Sequence, residues 1–159
     1  MSLLYCLYNN KKYKARYING VIKITTTAKE QGFSNYIDVL GREHDDLFMK
    51  ELSLQDVELV FHEEIELEYK GIYFPLFSSS IKSQNIEEGR FMIFTESEKI
   101  AQQYAFEKKE QFVFLKHISK DEIGSIRIIQ KPIREFADNI CEITIIEKGD
   151  ISEWLASLN

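Results

Sequence analysis

The residues best suited to chemistry lie between Val57 and Tyr69, where polar and apolar side chains alternate. Successive side chains of a β-strand point to opposite faces, so one face of this segment carries a histidine and four carboxylates. These five residues are Glu58, His62, Glu64, Glu66 and Glu68. A histidine beside carboxylates can bind a metal ion, but their spacing matches no zinc pattern, because zinc sites favour nitrogen and sulfur donors. We therefore expect a surface histidine and no metal site.

No other segment contains a complete catalytic motif. The triplet Ser78–Ser80 lacks the flanking glycines of a nucleophile elbow. The seven glycines are scattered singly, so they form neither a phosphate-binding loop nor a dinucleotide fingerprint. The sequence therefore predicts neither catalysis nor a bound cofactor.

Charge is distributed unevenly along the chain. Six basic residues and no acidic residue precede Glu30, whereas ten acidic residues and one lysine lie between Glu43 and Glu68. Carboxylates that share a strand face repel one another, so the acidic face has an energetic cost. The acidic face has two interpretations. In the first, it is solvated or paired with the basic N-terminal segment. In the second, it is a docking surface for a basic partner, and the complementary charge accelerates the approach of that partner. The five residues named above are the candidate contacts for such a partner.

The first strands are predicted from turn residues and alternation. A three-stranded meander is expected over Leu3–Tyr8, Tyr13–Ile18 and Val21–Thr27, closed by Asn9-Asn10 and Asn19-Gly20, because these residues tolerate the positive φ of tight hairpins. Further strands are expected at Leu47–Leu52, Val57–Tyr69, Ile72–Phe77, Phe91–Phe94, Gln111–His117, Ser125–Lys131 and Ile140–Ile146.

A central helix is expected near residues 96–106. Thr95 and Glu98 have the spacing of a capping box, in which each side chain bonds to the backbone of the other residue. Ser119 and Glu122 repeat that spacing ahead of a very short helix.

A final helix is expected near residues 151–158, capped by Asp150, with Trp154 and Leu158 on its apolar side.

Antiparallel strands dominate and helices come late, which predicts an α+β fold with a largely antiparallel sheet. A chain of 159 residues can form a full core without disulfides or metals, so we expect a single domain over residues 1–159.

Cys6 and Cys141 are the only cysteines, and their wide separation indicates two buried, reduced thiols. No apolar run approaches the length of about 20 residues that spans a bilayer, and Leu3–Tyr8 lacks the preceding basic residues of a secretory signal. These features predict a cytoplasmic protein that does not bind membranes. No sequence feature indicates an oligomeric state.

The N-terminal part of the chain, from Tyr5–Tyr13 through Asn35–Glu43, resembles small immunity proteins encoded beside polymorphic toxins of Gram-positive bacteria. The resemblance rests on size, acidity and the pattern of residues in the first third of the chain. It implies a cytosolic antitoxin that binds and blocks a toxin domain without catalysis. A basic toxin domain, such as a nuclease, would suit the acidic face.

A second resemblance suggests an enzyme. Arg42, then Ser78–Ser80, then Glu96 and Glu98 are similar in order to the arginine, the serine-threonine-serine strand and the Glu-x-Glu loop of arginine-type mono-ADP-ribosyltransferases. The capping box at Thr95 and Glu98 competes with this interpretation, and we favour the cap.

A third interpretation is a nucleic-acid-binding module that uses the basic meander. Its tyrosines at positions 5, 8, 13 and 17 have the aromatic character that base stacking requires. A net charge of −6 and a pI near 5.2 argue against it, so no nucleic acid is expected as a partner.

Overall fold

A computed structural model describes residues 2–77 and 87–157 of the chain. Ser78–Ser80 lie outside the described residues. The helices are α1 (Glu98–Gln103) and α2 (Ile151–Ala156). The strands are β1 (Ser2–Tyr8), β2 (Lys11–Ile18), β3 (Val21–Thr26), β4 (Ser34–Ile37), β5 (Glu43–Ser53), β6 (Leu59–Tyr69), β7 (Ile72–Pro75), β8 (Arg90–Thr95), β9 (Glu107–Glu110), β10 (Val113–Ser119), β11 (Ile123–Pro132) and β12 (Glu142–Glu147).

The described residues divide into two compact units. Leu3–Glu63 and Lys131–Cys141 form the N-terminal unit, and the remaining described residues form the C-terminal unit. Strands β6 and β11 each contribute residues to both units. The single domain expected over residues 1–159 stays a prediction. Neither described helix is long and apolar enough to cross a membrane.

The N-terminal unit begins with the predicted meander, which is confirmed. Strands β1, β2 and β3 pair antiparallel, and their ladder continues to β5 and then to β4. Both predicted turns hold positive φ at each central residue: 50° and 61° at Asn9 and Asn10, 53° and 78° at Asn19 and Gly20. Asparagine and glycine are the residues that accept this conformation most readily, so the turns fix the strand register.

The core of the N-terminal unit lies on one face of these strands. Cys6, Ile22 and Ile24 are fully buried, and Val60 from β6 and Ile133 pack with them. Ile133 also donates its backbone N–H to the Val60 carbonyl over 3.0 Å. Because side chains alternate, the opposite face of β2 and β3 carries Lys14, Arg16 and Lys23.

The C-terminal unit contains an antiparallel ladder of β7 on β6, one of β12 on β11, and a three-stranded sheet in the order β8-β10-β9. Lys70 and Gly71, both with positive φ, form the tight turn between β6 and β7. Leu76 leaves β7 to bridge Ile93 of β8, which joins the two sheets within this unit. Their shared core includes Leu67, Phe74, Ile93 and Ile126.

The central helix is shorter than predicted, and its proposed cap is wrong. Helix α1 begins at Glu98, and Ser97 caps it by accepting the Ile100 backbone N–H over 3.3 Å. Thr95 instead accepts the backbone N–H of Ser97. The helix ends at Gln103 because Ala105 adopts a positive φ of 59°, and strand β9 follows, which the sequence analysis missed.

The second capping box is confirmed. Glu122 accepts the backbone N–H of Ser119 over 3.0 Å and its hydroxyl over 3.2 Å, at the start of a short 3₁₀ helix over Lys120–Glu122.

The C-terminal helix is also present, but Asp150 makes no side-chain cap to it. Ile151 and Leu155, four residues apart, form its buried side, and Trp154 packs at the margin of the core. Leu158 lies outside the described residues.

Candidate functional site

An open cleft of about 570 Å³ in the C-terminal unit is the candidate site. Its walls come from strands β6, β7 and β8 and from the segment that leads into α1. The lining residues are Glu64, Ile65, Glu66, Ile72, Tyr73, Phe74, Pro75, Phe94, Thr95, Glu96, Ser97 and Ile100. The cleft therefore combines three carboxylates, three hydroxyl groups and a mostly apolar floor.

Local sequence explains why these side chains meet. The Lys70-Gly71 turn folds β7 back along β6 and sets Glu66 opposite Pro75 and Glu68 opposite Tyr73. Pro75 has no N–H to donate, which suits its position at the end of a short strand. Ser97 is fixed as the cap of α1, so Glu96 lies in the bend between β8 and that helix.

Glu66 is held in place by an arginine from a distant strand. The Nε and Nη2 atoms of Arg127 both lie 2.7 Å from Glu66 Oε1. The guanidinium group also lies 4.2 Å from the centre of the Tyr73 ring, which is a close cation–π distance. Arg127 is thus fixed from two sides, and it in turn fixes the orientation of the Glu66 carboxylate.

The Tyr73 hydroxyl extends this network. It lies 2.5 Å from the hydroxyl of buried Ser125, which donates over 3.4 Å to Glu68 Oε1. A Cβ atom at position 124 would meet the Glu68 carboxylate, so a larger residue in place of Gly124 would displace the Glu68 side chain from this position. The chain Glu66, Arg127, Tyr73, Ser125 and Glu68 is a continuous polar network that includes two lining residues of the cleft, Glu66 and Tyr73.

The cleft is electronegative at its surface. None of its described lining residues is a lysine, arginine or histidine, and Arg127 is already engaged by Glu66. Such a site can bind a cationic group, with carboxylates around the charge and apolar walls along the stem. Within the described part of the chain, no group of three histidine, cysteine or carboxylate side chains could hold a metal ion.

The structure separates the five predicted contact residues. Glu64 and Glu66 line the cleft, and Glu68 belongs to the polar network that includes Glu66. Glu58 and His62 fall in the N-terminal unit, where Glu58 accepts the Asn10 backbone N–H over 2.8 Å. The alternation of polar and apolar residues thus predicted two residues that line the cleft. It did not predict that the acidic face is divided between the two units.

Pairing between acidic residues and the basic meander also occurs. Glu63, from the other face of β6, forms an ion pair of 2.6 Å with Lys12. Val60, which the alternation placed among the acidic residues, is fully buried in the core of the N-terminal unit.

The residues of the enzyme interpretation are distributed over both units. Arg42 lies in the N-terminal unit, bonded through Nε to Asp38 over 2.9 Å. Glu96 lies in the cleft of the C-terminal unit, and Glu98 is the first residue of α1. Ser78–Ser80 are outside the described residues.

The tyrosines of the nucleic-acid interpretation do not form an exposed stacking platform. Tyr13 is buried, and Tyr8 and Tyr17 pack against the same core. Tyr5 stacks on Phe61 with ring centres 5.9 Å apart.

A comparison with family models identifies the family of this chain. The model of the family described as "Uncharacterised conserved protein UCP033725" matches residues 2–135. The chain belongs to this family. The matched region contains every residue of the cleft and of the polar network, whereas β12 and α2 lie beyond it. Searches of curated proteins and of solved structures found no match.

Three residues of the site, Arg127, Tyr73 and Ser125, were not predicted from the sequence. A usable signal existed, because alternation in the predicted strand Ser125–Lys131 places Ser125 and Arg127 on one face. An arginine on a partly buried strand face usually has a carboxylate partner. Which carboxylate that is depends on which strands pair.

The expectation of two buried thiols is half wrong. Both cysteines are free, but Cys141 is exposed just before β12 and only Cys6 is buried. Burial, with a smaller contribution from the nearby Glu58 carboxylate, raises the pKa of the Cys6 thiol to about 11.

We expect one thiol of the folded protein to react rapidly with a disulfide reagent at neutral pH. Cys141 is accessible, whereas Cys6 is both shielded and held as a thiol by its raised pKa. Absorbance after addition of Ellman's reagent, before and after denaturation, measures the two classes. The Cys141→Ser variant should lose the rapid phase, and two rapid equivalents in the wild type would contradict the burial of Cys6.

Proposed function

We propose that the protein is a cytoplasmic immunity protein that binds a basic toxin domain through the acidic cleft and blocks it without catalysis. The observation that carries this proposal is the lining of the cleft, with three carboxylates and no basic side chain among its described residues. The resemblance to immunity proteins encoded beside toxins of Gram-positive bacteria supports the same class of partner.

The shape of the cleft suits a lysine or arginine side chain of a partner. Ile72, Phe74 and Ile100 supply apolar surface for the aliphatic stem, while Glu64 and Glu96 supply charge for the cationic head. Long basic side chains bind in this divided manner, with the stem on apolar surface and the head at polar groups.

The fixed position of Glu66 favours association. Its carboxylate is already oriented by Arg127, so this side chain does not have to be ordered when a partner arrives, which reduces the entropic cost of association. Glu64 and Glu66 are therefore the predicted contacts that the geometry supports best. Glu58, His62 and Glu68 stay predictions.

Charge complementarity makes a kinetic prediction. Substituting lysine at Glu64 and Glu96 together should reduce the association rate with the product of a neighbouring toxin gene by about tenfold or more at low salt. The reduction should shrink as ionic strength rises, because screening acts within about 8–10 Å under physiological conditions. Surface plasmon resonance at two salt concentrations measures both effects.

The matched control is Glu107→Lys together with Glu110→Lys, two exposed charge reversals on β9 that lie outside the cleft lining and change the net charge equally. The control should leave the association rate close to that of the wild type, and it should change stability by about 0.5 kcal/mol at most, since exposed substitutions have small effects. Glu64 is half-buried, so the melting temperature of the cleft variant is measured as well and shows whether its fold is intact. Equal rates for the cleft variant and the control would remove the cleft from the interface. The absence of binding to the toxin would refute the immunity function for that toxin.

A further inference from the structure

Two strongly exposed apolar residues lie at the tip of one fixed loop in the N-terminal unit. Val39 is 91% exposed and Leu40 is 73% exposed. Asp38 anchors the loop by accepting the backbone N–H groups of Leu40 and Arg42, both over 2.9 Å. Two apolar side chains are thus held in water by a loop with a defined conformation.

Further bonds make the Asp38 loop rigid. The Asp38 carboxylate also accepts a bond from Arg42 Nε over 2.9 Å and lies 3.0 Å from His44 Nε2. The bond from the Arg42 backbone, followed by that from His44, lowers the pKa of Asp38 to about 2. The carboxylate therefore remains charged and bonded at any physiological pH, and the loop is preorganised.

The loop borders a groove of about 470 Å³ on the open face of the N-terminal sheet. Ile18 and Ile37, which are 63% and 52% exposed, line the groove together with Val39 and the exposed Val21. Isolated exposed apolar residues are ordinary, but a contiguous group beside a groove is characteristic of an interaction surface.

Basic side chains lie directly beside this apolar group. Arg16 and Lys23 line the groove and are direct cross-strand partners on β2 and β3, in the row next to the pair Ile18 and Val21. Like charges placed opposite each other destabilise a sheet, so the pair is costly unless an anion approaches. The acidic residues of the lining are Glu51, which lies opposite Lys23 on β5, and Asp38. The Asp38 carboxylate is already paired with Arg42, so Glu51 compensates for one of the two positive charges of the row and the other is left over.

We propose that this groove is a docking site for an acidic segment of a partner protein that also carries apolar side chains. Arg16 and Lys23 would bind the acidic residues of this segment. The exposed apolar residues of the groove would contact its aliphatic side chains. The surface lies entirely within the N-terminal unit, so the proposal is independent of the acidic cleft and of the toxin-binding function.

Other occupants fit the surface less well. A nucleic acid would need exposed aromatic rings for stacking, but Tyr8, Tyr13 and Tyr17 face the core, and the groove presents aliphatic side chains instead. The only tyrosine of the lining, Tyr36, makes an edge contact with His44 at 5.5 Å between ring centres.

The spacing of side chains along strands β2 and β3 defines the peptide that tests this proposal. Residues two apart on a strand are separated by about 6.6–6.8 Å and share a face, so an extended peptide should place acidic and apolar residues two positions apart. A synthetic peptide that repeats Glu-Ser-Leu-Ser has this pattern. A peptide that repeats Lys-Ser-Leu-Ser has the same shape and hydrophobicity with the opposite charge.

The test is a titration of the ¹⁵N-labelled full chain with each peptide, followed by two-dimensional NMR. We expect the acidic peptide to shift amide signals of Ile18, Val21, Lys23 and Val39, and the basic peptide to bind at least tenfold more weakly there. Arg16→Glu together with Lys23→Glu should abolish acidic-peptide binding, and Val39→Ser should weaken it about tenfold. Ile145→Ser, an exposed aliphatic on β12, is the matched control that should change nothing.

Four results would overturn the proposal. They are a lack of shifts at the groove with the acidic peptide, equal binding of both peptides, wild-type affinity in the groove variants, and tighter binding of a single-stranded oligonucleotide at the same residues. Preserved dispersion of the NMR signals in each variant shows that the fold is intact.

Discussion

Replacing Phe74 with alanine is expected to lower the free energy of unfolding by about 3–5 kcal/mol. Phe74 is buried at the centre of an aromatic cluster, with its ring centre 5.0 Å from that of Phe106 and 6.3 Å from that of Tyr104. Alanine removes both ring contacts and leaves a cavity that the short strand β7 cannot fill.

Chemical denaturation monitored by tryptophan fluorescence provides the measurement. Trp154 is the only tryptophan and packs against the core that contains Phe74, so its emission reports on the C-terminal unit. The Phe74→Leu variant keeps most of the apolar volume and should lose less than half as much stability. A loss below about 1 kcal/mol for the alanine variant would contradict the burial of this ring.

The second large effect is expected from Arg127→Met. Methionine retains the aliphatic stem but removes the cation that satisfies Glu66, whose side chain is only 17% exposed. We expect a destabilisation of about 1–3 kcal/mol. The half-buried carboxylate would still bear the cost of desolvation but would lose the hydrogen bonds from Arg127 that offset this cost. Part of the loss comes from the missing cation–π contact with Tyr73.

A double-mutant cycle separates these contributions. Adding Glu66→Gln to Arg127→Met removes the uncompensated charge, so the double variant should be more stable than the sum of the single losses predicts. Circular dichroism melts of the four proteins at neutral pH measure the coupling. Strict additivity would show that Arg127 and Glu66 do not depend on each other in solution.

The parts of the fold that the sequence predicted are those determined by neighbouring residues. The meander follows from Asn9-Asn10 and Asn19-Gly20, whose conformations are set within the turns themselves. The second capping box is also local, since Ser119 and Glu122 are three residues apart. The end of α1 was missed because it depends on the positive φ of Ala105, which alanine rarely adopts and which its sequence does not signal.

The candidate site was predicted only in part for the same reason. Alternation placed Glu64 and Glu66 on one face of β6, which is a property of a single strand. The partner of Glu66 is Arg127, 61 residues away, and the partner of Glu68 is Ser125, 57 residues away. Such pairings depend on which strands become neighbours, and the division of the chain into two cores depends on the same information.

The Asn19-Gly20 turn has a consequence for how this protein can evolve. The turn pairs Ile18 with Val21 and thereby decides that Arg16 and Lys23 face water while Ile22 and Ile24 face the core. A shift of one residue in this register would exchange the two faces of the hairpin. Substitutions at the groove can therefore accumulate and change its specificity, whereas an insertion or deletion of one residue in this hairpin would place charges in the core and should be eliminated by selection.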